Sequence, residues 1–119
     1  MLKITSSNIN LFNIKIIEFF DFLEKVVNDV YAKKKIKKNA SKIKLGINLD
    51  SNMIINLFYE KIYDYNKEIN NKNENVLEIF QVHLFDNKLD LKNIWKTINE
   101  SDKETIWKYL QIFVLLCEQ

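Results

Sequence analysis

Apolar residues recur in steps of three and four from Ile9 through Phe12, Ile16, Phe19, Leu23 and Val26 to Val30, the spacing that keeps side chains on one face of an α-helix. Phe20 and Val27 widen the stripe on one side and Phe22 on the other, while Glu18, Asp21, Glu24, Lys25 and Asn28 take the remaining face. A stripe of this width suits a helix bundle better than an isolated two-stranded coil. Ser7 or Asn8 is placed to cap its start. Residues 33–44 then carry seven lysines and no acid, and Gly46 permits a turn, so the first helix is expected to fray here. Asp50 is a suitable N-cap for a second helix, with Ile54, Leu57, Phe58, Ile62 and Tyr65 on one face, extended by Ile55 and Tyr59, and an end near Tyr65.

Between Asn66 and Asn75 only Ile69 is apolar among Asn, Lys and Glu, a composition that reads as loop. A third helix is expected from about Glu74 to Phe85 on Val76, Leu77, Phe80 and Leu84, with a turn at Asp86-Asn87-Lys88. Asp90 caps a short helix bearing Leu91, Ile94, Trp95 and Ile98, which Asn99 breaks. Ser101 and Glu104 have the spacing of a capping box and predict the start of the last helix. From Tyr109 to Cys117 that helix is apolar on nearly all sides, so it is either the centre of the bundle or covered by a partner. The expectation is an all-α, compact bundle of about five helices, in a single domain over residues 1–119. With no C-cap after Cys117, the domain is also consistent with the N-terminal part of a longer chain.

Composition narrows the chemistry. A hydrophobic share of 47% with eight Phe, five Tyr and two Trp supplies a core and excludes extensive disorder. No proline and a single glycine leave no material for phosphate loops or dinucleotide fingerprints, which need several glycines so that the backbone can approach phosphate. All 18 basic residues are lysine, and the richness in Lys, Asn and Ile points to an AT-rich genome, which lowers the weight of any one charge run. The lone Cys117 forms no internal disulfide, and no run reaches the roughly 20 apolar residues of a membrane span, so a soluble intracellular protein is expected.

The inventory for catalysis is thin. His83 lies between Val82 and Leu84 with no ligand set around it and reads as a structural or surface histidine. Cys117 reads as a small buried hydrophobe, and the i, i+4 pair Glu74 and Glu78 as a solvated helix face. No catalytic residue, metal ligand or cofactor is assigned. The one segment with a functional reading of its own is the lysine run: Lys33, Lys34, Lys35, Lys37, Lys38, Lys42 and Lys44 are candidate anion-binding residues for nucleic acid or an anionic membrane surface. Against it stand the absence of arginine and an overall charge of only +2. Phe22, Trp95, Ile112 and Leu116 are candidate interface residues, although both tryptophans also suit a core between the short helix and the last one.

The segment Leu89-Asp90-Leu91-Lys92-Asn93-Ile94-Trp95, with Ser101-Asp102-Lys103-Glu104-Thr105-Ile106-Trp107-Lys108-Tyr109-Leu110-Gln111, resembles a segment of uncharacterised helical proteins of nucleocytoplasmic large DNA viruses. Phe19-Phe20-Asp21-Phe22-Leu23 is also similar. The resemblance implies an origin rather than an activity: a protein of the host cytoplasm or the virion, serving assembly. The preferred reading is a non-enzymatic protein–protein interaction or assembly module that contacts another protein or a second copy of itself. The alternative is nucleic-acid or anionic-surface binding through residues 33–44.

Overall fold

A computed structural model of the chain describes residues 4–85 and 89–118, and those residues form helices without a strand. The α-helices are α1 (Ser6–Val26), α2 (Val30–Leu49), α3 (Met53–Lys61), α4 (Asn66–Asn70), α5 (Leu77–Leu84), α6 (Leu91–Thr97) and α7 (Glu100–Cys117), with 3-10 turns at Tyr63–Tyr65 and Glu74–Val76. The all-α expectation holds, but there are seven α-helices among the described residues instead of about five, because two segments that looked like frayed end and loop are helical. The expected turn at 86–88 lies outside the described residues. Among the described residues no helix is long and apolar enough to cross a membrane.

The first correction concerns residues 27–49. The first helix does not fray into the lysine run; it stops at Val26, and after a three-residue break a second helix starts at Val30. Val27 turns to extended backbone while its side chain stays buried, and the Asp29 carboxylate accepts from the Ala32 amide at 3.0 Å, so an N-cap competes with continuation of the first helix. Val30, the last position of the sequence stripe, falls at the start of α2 and is exposed. Gly46 makes no turn. It sits in the last turn of α2, buried against the Met53 side chain. Asp50 therefore ends α2 and does not cap α3, though its carboxylate accepts from the Asn52 amide at 3.0 Å in the linker.

Residues 66–75 are the second correction. Ile69 is fully buried, and burying it requires the ordered backbone of α4. The helix closes by a Schellman arrangement: the Asn73 amide donates to the Glu68 carbonyl at 2.8 Å and the Lys72 amide to the Ile69 carbonyl at 3.1 Å, with Lys72 at a left-handed φ of 57°. Lys72 then reaches Glu104 on α7 at 2.7 Å. The last helix also begins earlier than the capping box implied. Asn99 is the N-cap, its side-chain oxygen accepting from the Asp102 amide at 2.8 Å, while Ser101 is already helical and Glu104 faces Lys72.

Within this frame α1 runs between α2 and α7, and α7 also packs on α4. The core is aromatic. Phe113 of α7 meets Phe12 and Phe19 of α1 at ring-centroid distances of 5.2 and 5.6 Å and Phe58 of α3 at 5.8 Å, and Phe58 continues to Phe80 of α5 at 6.1 Å. Trp95 and Trp107 form a T-shaped pair at 5.4 Å, and both are buried.

Two stability outcomes follow from this core. Phe113→Ala removes a fully buried ring that touches three other phenylalanines, and denaturant titration should show a loss of about 3–5 kcal/mol. A Cβ at Gly46 would overlap only the Cε of the half-exposed Met53 side chain, which can swing into solvent. Gly46→Ala should therefore stabilise the domain by about 0.5–1 kcal/mol through helix propensity, and a drop in melting temperature would show that Met53 cannot move.

Candidate functional site

The inner face of α2 consists of Ala32, Ile36, Asn39, Ala40, Ile43 and Gly46, all buried. With 3.6 residues per turn, this stripe forces the lysines outward. Lys34, Lys37, Lys38, Lys42 and Lys44 are exposed, whereas Lys33 and Lys35 are half-buried on the flanks. Lys33 is engaged in the fold: its ammonium donates to the Glu24 carbonyl at 2.7 Å and the Lys25 carbonyl at 3.5 Å, satisfying the open C-terminal end of α1. The Lys35 ammonium lies 4.5 Å from the centroid of the Tyr31 ring.

None of the seven lysines makes a salt bridge among the described residues; the four ion pairs there are Lys15–Glu18, Lys72–Glu104, Lys92–Glu78 and Lys103–Glu100. The nearest acids in sequence, Asp29 and Asp50, are occupied with the Ala32 and Asn52 amides. Lys34 and Lys38, and Lys38 and Lys42, are like charges at i, i+4, each pair destabilising the helix by roughly 0.2–0.5 kcal/mol. The inner apolar stripe offsets this repulsion, and a bound anion would relieve it. Charge along the chain is also strongly divided. With seven lysines and no acid α2 carries +7, and the rest of the chain has eleven lysines against sixteen acids, a net of −5.

The same outward face carries Val30 at 67% exposure, which the sequence pattern placed in the stripe of the first helix, and three apolar side chains that the pattern alone did not single out: Tyr31 at 64%, Leu45 at 60% and Leu49 at 78%. Their signal was present in the helical register of Ala32, Ile36, Ala40 and Ile43, which places residues 45 and 49 opposite the buried stripe once the segment is read as helix.

The four interface candidates are not brought together on one surface. Trp95 is 3% exposed and enclosed with Trp107, and Leu116 is buried on α7. Phe22 and Ile112 are half-buried, Phe22 against Tyr109 at 6.1 Å and beside a depression of about 580 Å³ that also meets Lys25 and Asp102. His83 borders a shallow depression of about 420 Å³ with Asn39 and Lys42. Among the described residues no group of three or more His, Cys, Asp and Glu is placed to hold a metal ion.

No protein-family model, curated protein or solved structure matches the chain. The functional reading rests on its own residues.

Cys117 is buried beside Glu118, and burial first, then the neighbouring carboxylate, pushes its thiol from 9.0 up to about 12. The folded state thus holds a proton that the unfolded chain releases near the ordinary thiol value. The corresponding stability is complete below that value and is lost as the pH rises towards about 12. Melting temperatures at about pH 8 and about pH 10.5 should fall more steeply for the wild type than for Cys117→Ala. Parallel slopes for the two proteins would mean that the thiol ionises freely in the folded state.

Proposed function

We propose that this chain is a non-enzymatic binding module that docks on a polyanionic surface through the outward face of α2. The observation that carries the reading is the set of five exposed lysines, Lys34, Lys37, Lys38, Lys42 and Lys44, held on one rigid helix face with no acidic partner among the described residues. A solvated helix normally intersperses acids at i, i+4. Here the acids lie elsewhere in the chain, so an overall charge of +2 conceals a +7 segment. Lysine ammonium groups are compact, hydrated point charges suited to diffuse attraction rather than to planar, bidentate recognition. The reading is therefore of a surface held by many weak contacts, sensitive to ionic strength.

Association along the last helix has less support. Between Tyr109 and Cys117 only Leu115 is strongly exposed, at 62%, since Leu110, Phe113, Val114, Leu116 and Cys117 are buried within the chain.

Lys33 is left unaltered in the test because it closes α1. Replacing Lys34, Lys37, Lys38, Lys42 and Lys44 with Gln should leave the domain folded and slightly more stable, because the i, i+4 repulsion is gone. Binding of the wild type to polyphosphate, followed by sedimentation at increasing salt, should weaken steeply, and the substituted protein should bind at least about tenfold more weakly at low salt with a flatter dependence. A wild type that binds no polyphosphate at low salt, or a substituted protein that binds equally well, overturns the reading.

A further inference from the structure

We infer that the polyanionic surface on which α2 docks is an anionic lipid bilayer, against which the helix lies flat as a peripheral contact. The inference rests on the polyanion reading and adds the apolar residues to it. At 3.6 residues per turn, Val30, Tyr31, Lys34, Lys37, Lys38, Leu45 and Leu49 fall within an arc of about 120° on the outward side. The large apolar members stand at the two ends of α2 and the lysines between them. Such side chains bring nothing to a contact with a phosphate backbone, where they would stay in water or be covered by charged groups. At the boundary between headgroups and acyl chains they leave water, while the lysine stems follow them and keep their ammonium groups among the lipid phosphates and carboxylates.

Three further observations separate a bilayer from a nucleic acid. The chain has no arginine for base or phosphate forks. Tyr31 is a lone aromatic ring on the outward face of α2, where single-stranded nucleic acid would call for several rings to stack successive bases. The charge is also divided so that α2 is +7 and the remainder −5. An anionic plane attracts the one and repels the other, which fixes the orientation with α2 towards the lipid and α1 behind it. Because no described helix can cross a membrane, the contact is one of lying on the surface.

The test uses the whole chain, phosphatidylcholine vesicles with and without phosphatidylserine, duplex DNA and polyphosphate at one low salt concentration. The wild type should sediment with the phosphatidylserine vesicles, stay free of pure phosphatidylcholine, and bind the anionic vesicles more tightly than DNA. Leu45→Gln with Leu49→Gln alters two exposed side chains, so the domain stays folded. It should lower vesicle binding at least about tenfold while polyphosphate binding is unchanged, a lower bound for two leucines that leave water only in part. The indole introduced by Leu49→Trp should shift its emission to the blue on anionic vesicles alone. If the double variant binds vesicles like the wild type, if the introduced indole stays in water, or if DNA is bound more tightly than vesicles, the bilayer inference falls while the polyanion reading stands. If polyphosphate is not bound at low salt, the polyanion reading falls and the bilayer inference with it.

Discussion

The fold depends on the meeting of Phe113 with Phe12, Phe19 and Phe58. These rings come from the first, third and last parts of the chain, and their edge-on and tilted contacts at 5.2 to 5.8 Å hold α1, α3 and α7 in one core. Aromatic side chains bury large areas and prefer such offset geometry, so a few rings can fix the relative placement of several helices. The shorter elements then need only one anchor each, such as Ile69 for α4 or the Trp95–Trp107 pair where α6 meets α7.

That core also explains how α2 can exist. Seven like charges on a 20-residue helix would disfavour it in isolation. Its inner stripe packs on α1, which is itself clamped by α7, while Asp29 and Lys33 complete the helix ends at the joint. Stability generated in the aromatic core is thus used to present a concentrated charge that α2 could not carry alone. The Lys33 contact divides the lysine run into a structural member and an outward set, a distinction that the bare sequence does not contain.

In the binding mode proposed above, the outward set of lysines is the contact face. A charge of +7 on one helix and −5 on everything else makes the molecule strongly dipolar, although its net charge is small. Such a division acts on orientation as well as on affinity, because an anionic plane attracts one side and repels the other. In the proposed docking, the exposed Leu45 and Leu49 are the side chains that leave water at the lipid boundary.

Much of the architecture was legible in residue order alone. The apolar periodicity through Phe12, Ile16, Phe19 and Leu23, the run Val76, Leu77, Phe80 and Leu84, and the cap at Asp90 all appear as read, because amphipathic period and capping chemistry are local properties. Tertiary structure decided where local signals competed. Asn99 and Ser101 are both good caps, and the buried Ile98 beside Asn99 goes with the earlier one. Ile69 is one apolar residue among polar ones, and only the cavity it fills makes α4 worth forming. Gly46 looked like a turn and is a helical residue under Met53. The lysine run looked like a solvated end because charge is conspicuous in sequence, whereas Ala32, Ile36, Ala40 and Ile43 are not. Composition determined that this protein is helical with a charged segment. Burial of that quiet stripe, which depends on residues distant in the chain, decided that the charge stands on one face with leucines beside it.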